Sequence, residues 1–212
     1  MQLIGFRSCE GKTGDWRNLQ MIRLKEKGFS LIEVLVSMLV VALGVIGAAA
    51  MQMTALRTSQ QSRFQTLAVQ LASEMADKMR ANDSQMKQGD AANPFLVVDY
   101  KSVTDGEPAA PGKLCYAAAC SGGDLAAFDI YEWKKRVKAV LPGGRVLICR
   151  DSAPWDSARN ALTWNCSAGT EGSASLVIKL GWQGKNPDGS LIKDADNTFP
   201  PSVALTVEPY IK

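Results

Sequence analysis

The 212-residue chain contains no histidine. That excludes Ser-His-Asp and Cys-His nucleophilic catalysis and removes the usual nitrogen ligand of zinc. No Cys-x-x-Cys pair occurs, so a thioredoxin-like redox site is excluded as well. Charge is missing from Val34 to Met51, a run of eighteen residues in which Ser37 is the one hydroxyl. Proline and glycine are missing from Met51 to Asp83. Residues 1–20, MQLIGFRSCEGKTGDWRNLQ, lack the apolar core of an ordinary secretory signal.

What is present is most telling between Lys27 and Met51: KGFSLIEVLVSMLVVALGVIGAAAM. As a helix, Phe29 to Met51 spans roughly 33 Å, about one bilayer core. Glu33 lies four residues into this segment. A carboxylate there is costly unless it is paired or near the interface, which makes Glu33 a candidate functional residue. A secretory signal is cut after its apolar core. Here the junction of Lys25, Glu26, Lys27, Gly28 and Phe29 stands before it. Cleavage between Gly28 and Phe29 would leave the helix on the mature protein as an anchor. Hydropathy alone fits an uncleaved single-pass anchor equally well. Arg23, Lys25 and Lys27 outweigh Glu26 and hold this end in the cytoplasm, so the chain beyond Met53 lies across the membrane.

Met21 opens MIRLKEKG, a short basic segment, and is an alternative start; Cys9 leaves with the leader in either case. Residues 1–28 carry six basic and three acidic residues, leaving 18 of each beyond them. The basic balance therefore belongs to the leader and gives no support for nucleic-acid binding.

The spacing predicts that the helix runs from Leu31 to about Ala81, roughly 75 Å. Phe64, Leu67, Ala68, Leu71, Met75 and Met79 form an apolar stripe, with Arg63, Gln70, Glu74 and Asp77 mostly off it. Such a stripe needs a partner. Gly44, Gly47, Ala48, Ala49 and Ala50 allow close helix contacts or simple lipid exposure.

Residues 83–212 are long enough for one domain with a modest core. NDSQMKQGDAANP reads as a turn or loop, and FLVVDY (95–100) as one short strand. Residues 125–141, LAAFDIYEWKKRVKAVL, form the best helix, with Ala126, Ile130, Trp133, Val137 and Val140 on one face. Asp124 is its expected cap, and Pro142-Gly143-Gly144 ends it. Strands follow at RVLICR (145–150), SLVIKLGWQ (175–183) and SVALTVEPY (202–210). Their inner face is Val146, Ile148, Leu176, Ile178, Leu180, Trp182, Val203, Leu205 and Val207. An antiparallel sheet on the long helix gives an α+β layout.

Cys115, Cys120, Cys149 and Cys166 are an even count beyond a membrane segment and read as disulfides. Of three possible pairings, Cys115–Cys120 and Cys149–Cys166 are favoured because each closes a short loop. The spacings suit zinc poorly. Asp188, Asp194, Asp196 and Asn197 invite a calcium reading but lack EF-hand spacing and a closing glutamate. Trp155, Trp164 and Trp182 read as core or interface residues. No cofactor and no metal is expected, and no nucleophile motif supports an enzyme; a membrane-anchored periplasmic enzyme is the alternative from another class.

The segment KGFSLIEVLVSMLVVALGV resembles the processing site of type IV prepilins and their secretion-system relatives. The resemblance implies cleavage between Gly28 and Phe29 by a prepilin peptidase, N-methylation of Phe29, and docking of Glu33 against a neighbour's amino terminus. The helix ending at SEMADKMRAND, then DLAAFDIYEWKKRVKAVLPGG, RVLIC and a late cysteine, resemble the minor pilins of the type IV pilus modification family. That resemblance implies a type IV pilin-like fold: a long N-terminal α-helix packed on a C-terminal antiparallel β-sheet domain. Its divisions would be a cytoplasmic leader (1–28), the helix (29–82, membrane segment about 31–51) and a periplasmic α+β domain (83–212). It also implies filament priming, surface attachment, and a place in the bacterial inner membrane and then in the pilus. The implied partners are other minor pilins, the major pilin, the inner-membrane assembly machinery and membrane lipid. A minor pseudopilin of a type II secretion system is the alternative within the class.

Overall fold

The computed structural model describes residues 28–168, 174–186, 188–193 and 199–208. Leader residues 1–27 lie outside it, with Cys9 and Met21 among them, as do Asp194, Asp196 and Asn197 of the calcium reading. Contacts divide the chain into two units, Met1–Ala48 and Ala49–Lys212.

The described part of the first unit is three residues outside regular secondary structure followed by helix. Helix α1 runs Leu31–Ala81, as the apolar run and the absence of breakers predict. Its apolar window is long enough to cross a membrane, and none of that window is buried.

In the second unit α1 turns amphipathic. Ala68, Leu71, Ala72, Met75, Ala76 and Met79 are buried, and Phe64 and Leu67 pack at the edge. They meet the four-stranded antiparallel sheet β1-β2-β5-β6, made of Asp99–Lys101, Arg145–Arg150, Leu176–Gly181 and Val203–Val207. The register sets Val146 opposite Leu180, Ile148 opposite Ile178, and Ile178 opposite Leu205, so the predicted inner face is the core face. Each large aliphatic side chain buried there contributes about 1.5–3 kcal/mol.

Helix α3 (Gly122–Val140) closes the core with Ala126, Ile130, Trp133 and Val137. The indole N–H of Trp133 donates to the Leu71 carbonyl at 2.9 Å, tying α3 to α1 inside the core. Outside it, Arg136 grips the Glu74 carboxylate with both terminal nitrogens, and Lys78 bridges Glu74 (3.4 Å) and Asp129 (3.0 Å).

Two local expectations need correction. The cap of α3 is Ser121, whose hydroxyl accepts from Asp124 N–H while the Asp124 carboxylate accepts from Ser121 N–H. Asp124 is thus the third helical residue of a capping box, because Gly122 and Gly123 extend the helix by a turn. FLVVDY is not one strand: Pro94–Val97 is a 3₁₀ turn, and β1 begins at Asp99. The Asn93 side chain accepts from Phe95 N–H, and Pro94 presets a helical φ, so the chain coils before it extends. The segment after Asn82, expected as a turn or loop, opens with a single helical turn, α2 (Asp83–Met86). The chain reversal after α3 uses Gly143 at φ +59°, as the Pro-Gly-Gly stop predicts.

Candidate functional site

Gly28, Phe29 and Ser30 precede the first turn of α1. The Ser30 carbonyl accepts from Glu33 N–H (3.0 Å) and Val34 N–H (3.2 Å), so Glu33 sits in the first turn, where the helix dipole favours a carboxylate. Phe29 is 81% exposed, and Glu33 is exposed too. The junction is therefore sterically open, and Glu33 lies one turn from the Phe29 nitrogen that cleavage would release.

The four downstream cysteines form the two local disulfides, Cys115–Cys120 and Cys149–Cys166. Cys149 is on the sheet face turned away from α1, opposite Val177. Its bond holds residues 151–165 over that face, and a small hairpin, β3 (Trp155–Asp156) with β4 (Ala161–Leu162), lies within that segment. Closing this loop is worth about 3 kcal/mol by chain entropy. We expect Cys149→Ser with Cys166→Ser to lower the urea midpoint of the full chain in detergent accordingly. Loss of the five-residue separation of Cys115–Cys120 should cost less.

Beneath the hairpin segment lies a charged group that sequence reasoning missed. Lys179, in the middle of β5, is fully buried on the outer face. Its ammonium donates to the carbonyls of Thr163 (2.8 Å) and Asn165 (2.6 Å) and stands 2.5 Å from Asp151 Oδ2. Three partners saturate an ammonium's three donors. Asp151 Oδ1 accepts from the N–H groups of Ala153 and Ser167. Burial pushes the Asp151 carboxyl up, but Lys179 and those two N–H groups outweigh it and hold it below the usual carboxylate range. A lone lysine in an alternating strand looks like a solvated residue. The available hint was its company, since Cys149, Val177 and Gly181 share its face.

Trp164 completes the cover. Its indole N–H donates to the Phe199 carbonyl, and the Arg145 guanidinium stacks 4.2 Å from its ring centroid. A Cβ on Gly181 would come within 2.8 Å of Trp164 and 2.7 Å of the Pro200 carbonyl, so only glycine permits this approach. Trp182 is buried, as expected of a core residue, whereas Trp155 on the hairpin is 52% exposed.

Asp188 accepts from Ser190 N–H and hydroxyl, which makes it a turn residue. Among the described residues, no three His, Cys, Asp or Glu side chains are grouped to hold a metal ion. The described features are an exposed N-terminal junction, an apolar helix and a sheet covered on both faces.

Residues 23–49 match the family model described as the prokaryotic N-terminal methylation motif. Residues 50–131 match the model described as Type IV pilin Tt1218. Neither a curated protein nor a solved structure matches the chain. The methylation motif and an apolar helix of membrane-crossing length near the N-terminus support a membrane-anchored topology with the C-terminal domain on the periplasmic side. The two family matches run on from one another across 23–131, and over that stretch, with a long helix packed on an antiparallel sheet, the chain is similar to type IV pilins.

Proposed function

We propose that this chain is a minor type IV pilin that helps assemble and prime the pilus, of the type represented by the pilus modification protein PilV. The observation that carries the reading is the sequence KGFSLIE, with its open Gly28–Phe29 junction, directly in front of an anchor-length helix. A prepilin peptidase cuts between Gly28 and Phe29 and methylates the Phe29 nitrogen. Residues 29–82 then serve as anchor and spine, and residues 83–212 as the periplasmic α+β domain. In the inner membrane Glu33 pairs with the amino terminus of a neighbouring subunit, since opposite charges in hydrocarbon are cheaper together than apart. Other minor pilins, the major pilin and the inner-membrane assembly machinery are its partners, and surface attachment follows from its place in the filament.

Intact-mass and amino-terminal peptide analysis of the membrane-extracted protein should show Phe29 first, with one added methyl. A mature protein that still carries Lys27 would sink the reading. Deletion should reduce surface pili and leave exoprotein secretion intact; the reverse pattern would move the chain to a type II secretion system.

A further inference from the structure

The two edges of the four-stranded sheet are built differently. At one end, β1 is three residues long, with Asp99 and Lys101 exposed. Val98 and Ser102 bond to β2 and its following turn, so Lys101 faces outward. The chain's own turn closes that position. The Lys101 N–H donates to the Asp105 carboxylate (2.7 Å), and the Lys101 carbonyl accepts from the N–H groups of Thr104 (3.2 Å) and Asp105 (2.9 Å). Short length, charge and a covering loop are the means by which sheet ends are kept from pairing with other chains. At the other end, β6 has none of these. Its sequence, VALTV, holds no charge and no proline.

The register fixes which groups of β6 are open. The Asp151 N–H donates to the Ser175 carbonyl, one step beyond the β2–β5 ladder. Hydrogen-bonded pairs alternate along an antiparallel ladder, so Val177 and Lys179 bond to β2, and Leu176, Ile178 and Leu180 bond to β6. Their partners Val207, Leu205 and Val203 therefore face β5. The N–H and C=O groups of Ala204 and Thr206 point away from the sheet. Among the described residues, no backbone bond reaches them from outside the sheet. Thr206 is exposed, and Leu205 is the one inner-face residue of β6 left half-buried.

Four open groups at strand spacing, beside a half-buried leucine, select one kind of ligand: an extended polypeptide with an apolar residue opposite Leu205. A second copy of this chain does not supply it. The β1 edge is closed, and β6 against β6 is antiparallel about a two-fold axis perpendicular to the sheet. That axis reverses the direction of α1 along the sheet. Two copies anchored through α1 in one membrane cannot meet in that way.

We propose that the outer edge of β6 receives an extended strand of a different pilin-type subunit, hydrogen-bonded to Ala204 and Thr206 and packing an apolar side chain on Leu205. The identity of the donor rests on the pilin reading above; that the ligand is a strand rests on the edge itself.

The test places a photoreactive amino acid at Thr206 of the full chain in piliated cells and maps the crosslinked peptide by mass spectrometry. The expected adduct is a different pilin-type subunit, joined within a segment of alternating apolar residues. Ala204→Pro deletes an outward N–H and leaves the bonds to β5 in place, as proline is tolerated at such edge positions. Adduct yield should fall about tenfold, as for an interface group left unpaired. Ala204→Ser, which keeps the N–H, should retain it. Formation of both disulfides in each variant checks that the fold survives. Should Ala204→Pro not fold, Thr206→Lys guards the edge with charge and should lower the amount of the chain in sheared pili by a similar factor. A lipid adduct, a non-pilin adduct, a second copy of this chain, or a yield indifferent to Ala204→Pro in a folded variant overturns the proposal. So does a pilus content indifferent to Thr206→Lys. A chain that enters sheared pili but gives no Thr206 adduct also overturns it, and in that case the pilin reading stands. Absence of the chain from sheared pili, with normal pilus number after its deletion, overturns the pilin reading instead.

Discussion

Lys179→Ala is expected to destabilise the C-terminal unit by about 3–5 kcal/mol, the cost of removing one member of a buried ion pair. The substitution leaves Asp151 charged and buried, with two N–H partners, and leaves the Thr163 and Asn165 carbonyls without their donor. Urea unfolding of the full chain in detergent, followed by tryptophan fluorescence, gives the number. A loss below about 1 kcal/mol, the scale of a surface pair, would mean that the hairpin segment holds its place without the ammonium. Replacing Lys179 and Asp151 together with apolar residues should recover much of the loss.

The pH dependence of the same pair has a definite sign. The folded Asp151 carboxyl titrates lower than in the unfolded chain. Its contribution is therefore complete above the unfolded value of about 4 and is lost as pH falls through the lower folded value. In Lys179→Ala the main cause of that depression is gone. The stability gap between the two proteins should thus narrow below about pH 4. A gap constant from pH 7 to pH 2 would assign the destabilisation to packing alone.

Glu33→Ala is expected to leave membrane insertion intact and to abolish most filament incorporation. Insertion should improve slightly, because removing a carboxylate from a helix of this length makes it more apolar. Incorporation should fail because a neighbour's charged amine then has no partner in hydrocarbon. Crosslinking of subunits in the membrane, and the amount of the chain in sheared pili, measure the two effects separately. Normal pilus number together with unchanged crosslinking would mean that Glu33 is merely tolerated near the interface.

The α1 stripe, the apolar face of α3 and the alternation in β2, β5 and β6 were legible because each repeats with the period of its own element. The local cysteine pairings were legible from loop length. Prediction failed where short-range polar contacts compete with periodicity. Asn93 and Pro94 turn an apolar run into a 3₁₀ turn before β1. Two glycines shift the cap of α3 back to Ser121. Lys179 was invisible for another reason. Its burial depends on a segment that crosses the sheet 14 to 28 residues earlier in the chain, and strand periodicity says nothing about what covers the second face.

Asp151, Thr163 and Asn165, which together hold the Lys179 ammonium, all lie inside the ring closed by Cys149–Cys166. The segment is in effect a macrocyclic host with three inward oxygens, and β5 delivers its guest. In a reducing compartment the ring is open, and its oxygens must be gathered at the full entropic cost of a loose chain. In an oxidising compartment the closed ring confines those oxygens and lowers that cost. The C-terminal unit is thereby less stable on the side of the membrane where it is synthesised than on the side where it operates. A chain that has to cross unfolded gains from that difference, because its final clasp is withheld until transit is over.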